Sequence, residues 1–79
     1  LSDRVAARWA AEYRLSELRA GLPTEAAALE FYGIDFDVTV LRRPTEDPAV
    51  EAVTLRSAPV GTDQPLYILD GYLDIGEPS

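Results

Sequence analysis

The apolar pattern of this chain changes period close to residue 33, and that change limits the folds open to it. Before it, Ser2 to Leu22 is dense in Ala, Leu, Arg and Glu, all good helix formers. After it, Ile34, Phe36, Val38 and Val40 alternate with Asp35, Asp37 and Thr39, the mark of a strand with one buried face. A helical start followed by strands that each have one apolar face gives a helical layer on one side of an antiparallel sheet. The expected fold is therefore α+β.

Ser2 and Asp3 supply an N-cap and a first-turn acid, while Gly21 and Pro23 supply the stop, so the first helix is expected over about residues 3–20. Its apolar residues form two stripes. Val5, Ala6, Trp9, Ala10 and Tyr13 lie on one side, and Ala11, Leu15, Leu18 and Leu22 on nearly the opposite side. A helix lying on one sheet needs a single stripe. Two stripes mean that the helix bends, that it is sandwiched with one stripe on the sheet and the other on a second helix, or that the Trp9/Tyr13 stripe faces another molecule. Thr24, Glu25 and Gly33 frame a second helix over about residues 24–32, with Ala26, Leu29, Phe31 and Tyr32 on its buried side.

Strands are expected at about 34–43 and 50–57, joined by a hairpin through residues 44–49. Val53 and Leu55 fall on one face of the second strand, Val50 and Ala52 on the other. In Leu66–Ile75 an Asp70-Gly71 pair separates two apolar segments, the signal for a type I′ turn, so further strands are expected at about 66–69 and 72–75. A single strand with a bulge at Gly71 is the alternative. Residues 76–79 are expected to fray. The whole is two helices on one face of a three- or four-stranded antiparallel meander, in a single domain spanning residues 1–79.

A core this small supplies only about 3–5 kcal/mol. Cys and His are both absent, so neither a disulfide nor a zinc site is available to add to it, and a partner subunit is the remaining route. Every one of the 7 basic residues is Arg; with abundant Ala, this is the composition of a GC-rich bacterial or phage genome. Residues 1–22 set four Arg against Asp3, Glu12 and Glu17, whereas residues 23–79 set eleven acids against Arg42, Arg43 and Arg56. An acidic body with a net charge of −7 is unsuited to a phosphate backbone or an anionic membrane. The helix–helix corner resembles a helix-turn-helix, but its second helix would carry Glu25 and Glu30 and no base, which speaks against a DNA groove. No run of 18 apolar residues and no signal-like start are present, so a cytoplasmic location is expected.

Catalytic chemistry has few residues to work with. There is no Cys, His or Lys, the serines stand in no nucleophile elbow, and the glycines are scattered rather than gathered into a phosphate loop. Carboxylate pairs such as Asp35 with Asp37, or Asp70 with Asp74 and Glu77, are what alternation on a solvated face produces, and no EF-hand pattern occurs. The chain is therefore expected to be no enzyme and to hold no cofactor or metal. The expected function is protein–protein interaction, with self-association among the options. Trp9 and Tyr13 would be the anchors, with Arg8 and Arg14 at the rim. Asp35, Asp37, Asp70 and Asp74 form an acidic surface, which allows a second reading: an inhibitor that imitates nucleic acid to bind a basic protein. A structural subunit or fragment of a larger assembly is the third.

Overall fold

A computed structural model describes residues 2–22 and 28–75. One helix, α1 (Asp3–Arg19), is followed by β1 (Leu29–Phe31), β2 (Ile34–Pro44), β3 (Val50–Pro59) and β4 (Tyr67–Asp74). The strands form one antiparallel sheet in the order β1-β2-β3-β4, and α1 lies across one of its faces, touching all four strands.

The ends of α1 follow its sequence. Ser2 Oγ accepts the Val5 N–H at 3.2 Å. At the other end Gly21 takes a φ of 73°. There the Leu22 N–H reaches Glu17 O at 3.0 Å and the Gly21 N–H reaches Leu18 O at 3.1 Å, the paired bonds of a Schellman motif. The face that α1 buries is made of Ala6, Ala7, Ala10, Ala11, Arg14 and Leu15. Ala6 and Ala10 come from one stripe and Ala11 and Leu15 from the other, and Ala7 and Arg14 between them join the two into one broad face. Small side chains at its centre let the helix come close to the sheet, and the larger residues flank it on both shoulders.

The expected second helix does not form over its described residues, 28–32. Residues 24–27 lie outside the described residues, but Leu29–Phe31 is a strand, paired Leu29 with Phe36 and Phe31 with Ile34. Tyr32 and Gly33 form the two-residue turn, with φ of 56° and 79°, both in the left-handed region as a type I′ turn requires. Gly33 therefore turns a hairpin rather than ending a helix. The strong alternation of β2 supplies a template with which a neighbouring apolar triplet can pair, and that tertiary gain outweighs local helix propensity.

The Asp70-Gly71 hairpin is also absent. β4 is one strand of eight residues, and its register against β3 runs without a skip from Val50 opposite Asp74 to Ser57 opposite Tyr67, so there is no bulge either. Gly71 sits opposite Val53, beneath α1. The fourth strand is thus β1 and not half of a C-terminal hairpin. The link through residues 44–49 is as expected: Thr45 Oγ1 accepts the Asp47 N–H at 3.1 Å and donates to Val50 O at 2.8 Å.

Two packed clusters make the core. Ala6, Ala7 and Ala10 close over Phe36, with Leu29, Phe31, Ile34 and Leu66 around them. Ala11 and Leu15 close over Val53, Leu55 and Leu73. Ser57 is fully buried on the same face, and its Oγ has no hydrogen-bond partner among the described residues.

Candidate functional site

Trp9 and Tyr13 stand on the shoulder of α1 that faces β1. Trp9 packs on Tyr32 with ring centroids 5.2 Å apart, and Tyr13 meets the Phe31 ring edge-on at 6.3 Å. The β1–β2 turn therefore partly covers the aromatic stripe, yet Trp9 remains 36%, Tyr13 50% and Tyr32 62% exposed. The left-handed conformation of Tyr32 lifts its ring against Trp9 and makes it the third member of the patch. Sequence reading missed Tyr32 because it was assigned to a helix; the Tyr-Gly pair before an alternating strand was the available signal.

The two arginines named with these anchors differ in setting. Arg8 is exposed and donates from Nε to Glu12 at 2.9 Å, one turn along the helix. That hydrogen bond, and then the Glu12 charge, hold the Arg8 guanidinium above its ordinary pKa, with a smaller contribution from Tyr67. Arg14 is only 5% exposed and pairs through Nη1 with Glu17 at 2.6 Å, so it belongs to the buried face.

Asp35, Asp37, Asp70 and Asp74 all lie on the sheet face away from α1, because residues opposite one another in the register share a face. They are not gathered together. Asp35 and Asp37 sit at the end of the sheet near β1, while Asp70 and Asp74 are on β4, opposite Thr54 and Val50. Arg56 stands on the same face between the two pairs, and Arg43 shares that face at the hairpin end of β2. A polar chain crosses three strands there: Arg43 Nη2 donates to Thr54 Oγ1 at 2.9 Å, and Thr54 Oγ1 donates to Asp70 Oδ1 at 2.7 Å. Leu41, Ile68 and Tyr72 add exposed apolar surface to the same face. Among the described residues no group of three or more acids converges as a metal site would need.

Surface recesses among the described residues accompany these features. One of about 380 Å³ is lined by Arg4 and Pro65 to Ile68. A second of about 300 Å³, on the open face, is lined by Asp37, Thr39, Arg56, Ala58, Thr62, Asp63 and Pro65. A third, about 220 Å³, lies between the end of α1 and the end of β4. The first is the most open of these and the last the most enclosed. No helix among the described residues is long and apolar enough to cross a membrane. No protein-family model, curated protein or solved structure matches this chain.

Proposed function

We propose that this chain is a small acidic interaction module that works by binding another protein or its own copy, without chemistry of its own. The observation that carries this reading is the aromatic patch of Trp9, Tyr13 and Tyr32, exposed on one shoulder of α1 and fixed by the type I′ turn. Trp and Tyr combine a large apolar area with few rotatable bonds, which makes them favoured anchors. Arg8 lies one residue from Trp9 at the rim.

Replacing Tyr13 with a photo-crosslinking phenylalanine analogue, followed by irradiation in cells and mass spectrometry, tests the proposal. A discrete cross-linked species, or a dimer of the chain, is expected, and it should disappear when Trp9→Ala is added. A wild-type chain that stays monomeric at high concentration and yields no cross-link would overturn it.

Nucleic-acid mimicry is the second reading. It is favoured by the shared face of Asp35, Asp37, Asp70 and Asp74, but Arg43 and Arg56 interrupt that face and Thr54 already occupies Asp70. Binding of a basic protein that weakens steeply with salt, and is lost on charge reversal of those four acids, would raise it above the first.

A further inference from the structure

β4 closes one side of the sheet, and among the described residues nothing pairs with its outer edge. The direction of its backbone groups follows from one bond. The Ile75 N–H donates to Ala49 O at 2.8 Å, and these residues are opposite one another when the β3–β4 register is extended by one step. Odd-numbered residues of β4 therefore bond towards β3, and Ile68, Asp70, Tyr72 and Asp74 turn their N–H and C=O groups outward. The strand contains no Pro, no Lys and no bulge, three of the devices by which edge strands refuse a further partner, and its charges, Asp70 and Asp74, lie on the face away from α1.

The helix side of this edge carries arginines, in a chain whose net charge is −7. Arg4 Nε donates to Leu66 O at 3.3 Å, and Arg19 Nη2 lies 3.7 Å from where a Cβ on Gly71 would stand. Arg4 and Arg19 thus stand beside β4 near residues 66 and 71. Each end of the strand also has a recess, with Arg4 lining one and Arg19 the other.

The geometry points to β4 as the docking edge for an extended acidic segment of another protein, which adds as a fifth strand with its acidic side chains on the helix side. Side chains opposite Tyr67 and Leu73 would enter the two recesses. They are six residues apart, about 20 Å along a strand. The occupant therefore has acids at positions i and i+6, and small apolar residues at i+2 and i+4 over Leu69 and Gly71. A second copy of this chain fits less well, because two-fold pairing about Gly71 would bring Arg19 against its own copy and join two chains of net −7. This edge lies away from the aromatic patch, so the proposal stands or falls independently of Trp9 and Tyr13.

The probe is a synthetic nonapeptide, Thr-Glu-Thr-Val-Thr-Val-Thr-Glu-Thr, titrated into the isotope-labelled chain. Amide shifts concentrated on residues 68, 70, 72 and 74 are expected. The Arg4→Glu, Arg19→Glu double variant should weaken binding about tenfold, and the peptide with Lys in place of Glu should regain most of that loss. N-methylating the peptide amides that face β4 leaves the protein unchanged and should abolish binding. Absence of binding, shifts centred elsewhere, equal affinity for the N-methylated peptide, or sedimentation showing a wild-type dimer paired through β4 would each overturn the proposal.

Discussion

Tyr32 and Gly71 occupy backbone conformations opposite to those their residue types favour. Tyr32 sits at a φ of 56°, where a side chain with a Cβ costs about 1–2 kcal/mol. Its ring contact with Trp9 offsets much of that cost, being worth about 0.5–1.5 kcal/mol. Gly71, the more permissive residue, lies inside β4 and is not among the positive-φ glycines, Gly21, Gly33 and Gly61. A Cβ there would stand 3.6 Å from Leu15 Cδ2 and 3.7 Å from Arg19 Nη2, ordinary van der Waals distances. Gly71→Ala is therefore expected to stabilise the chain by about 0.5–1 kcal/mol, by restricting the unfolded backbone. Urea unfolding checks this, and a loss of stability would mean that the Asp70-Gly71 pair turns the chain after all. Ser57 shows the reverse economy: its buried Oγ lacks a partner among the described residues, a deficit worth about 1–3 kcal/mol.

The helix element depends on its alanines. Ala6, Ala7, Ala10 and Ala11 are almost wholly buried and set the distance between α1 and the sheet. Ala10→Leu should force that distance open over Phe36 and cost about 1–3 kcal/mol, read as a lower urea midpoint with Trp9 emission reporting the displaced helix. A midpoint within error of wild type would show that the helix face is loosely seated. The same alanines explain why the helix pattern was only half legible. Apolar periodicity gives weight to Trp9 and Leu15 and little to Ala, so two stripes stood out where the close contact joins them. By contrast, α1, β2 and β3 were readable because their caps and alternation act within a few residues of sequence. β1 and the unbroken β4 were not, because a three-residue strand and a strand containing Asp-Gly are decided by what lies beside them in the sheet. Of the candidate site, Trp9, Tyr13 and Arg8 were legible as exposed groups on one helix. The burial of Arg14 and the arrival of Tyr32 required the tertiary fold.

At the scale of the whole molecule, shape and charge act together. The described residues measure 43 × 21 × 20 Å, and the long axis reflects the β2–β3 hairpin, where Leu41 to Pro44 are all exposed. A β2 of eleven residues reaches about 36 Å, whereas the seventeen-residue α1 covers about 25 Å. The hairpin end therefore extends past the helix and depends on local bonds, such as Arg42 Nε to Glu51 at 2.6 Å. A net charge of −7 on so small a body repels itself. The ion pairs of Arg8 with Glu12 and Arg42 with Glu51 are open to solvent and therefore screened, so they add little to stability. Added salt screens both effects, but the unbalanced charge is the larger one, so the urea midpoint should rise as sodium chloride increases from about 0.01 to 0.5 M, where the Debye length contracts several-fold. Urea is the appropriate denaturant because it carries no charge of its own. A falling midpoint would mean that pairwise attraction, not net repulsion, dominates the folded state. Binding of an acidic strand beside Arg4 and Arg19 should respond in the opposite sense, weakening over the same salt range while the fold becomes more stable. Measuring both in one salt series separates the two, since a general loss of structure would lower them together and only a charge-steered edge moves them apart.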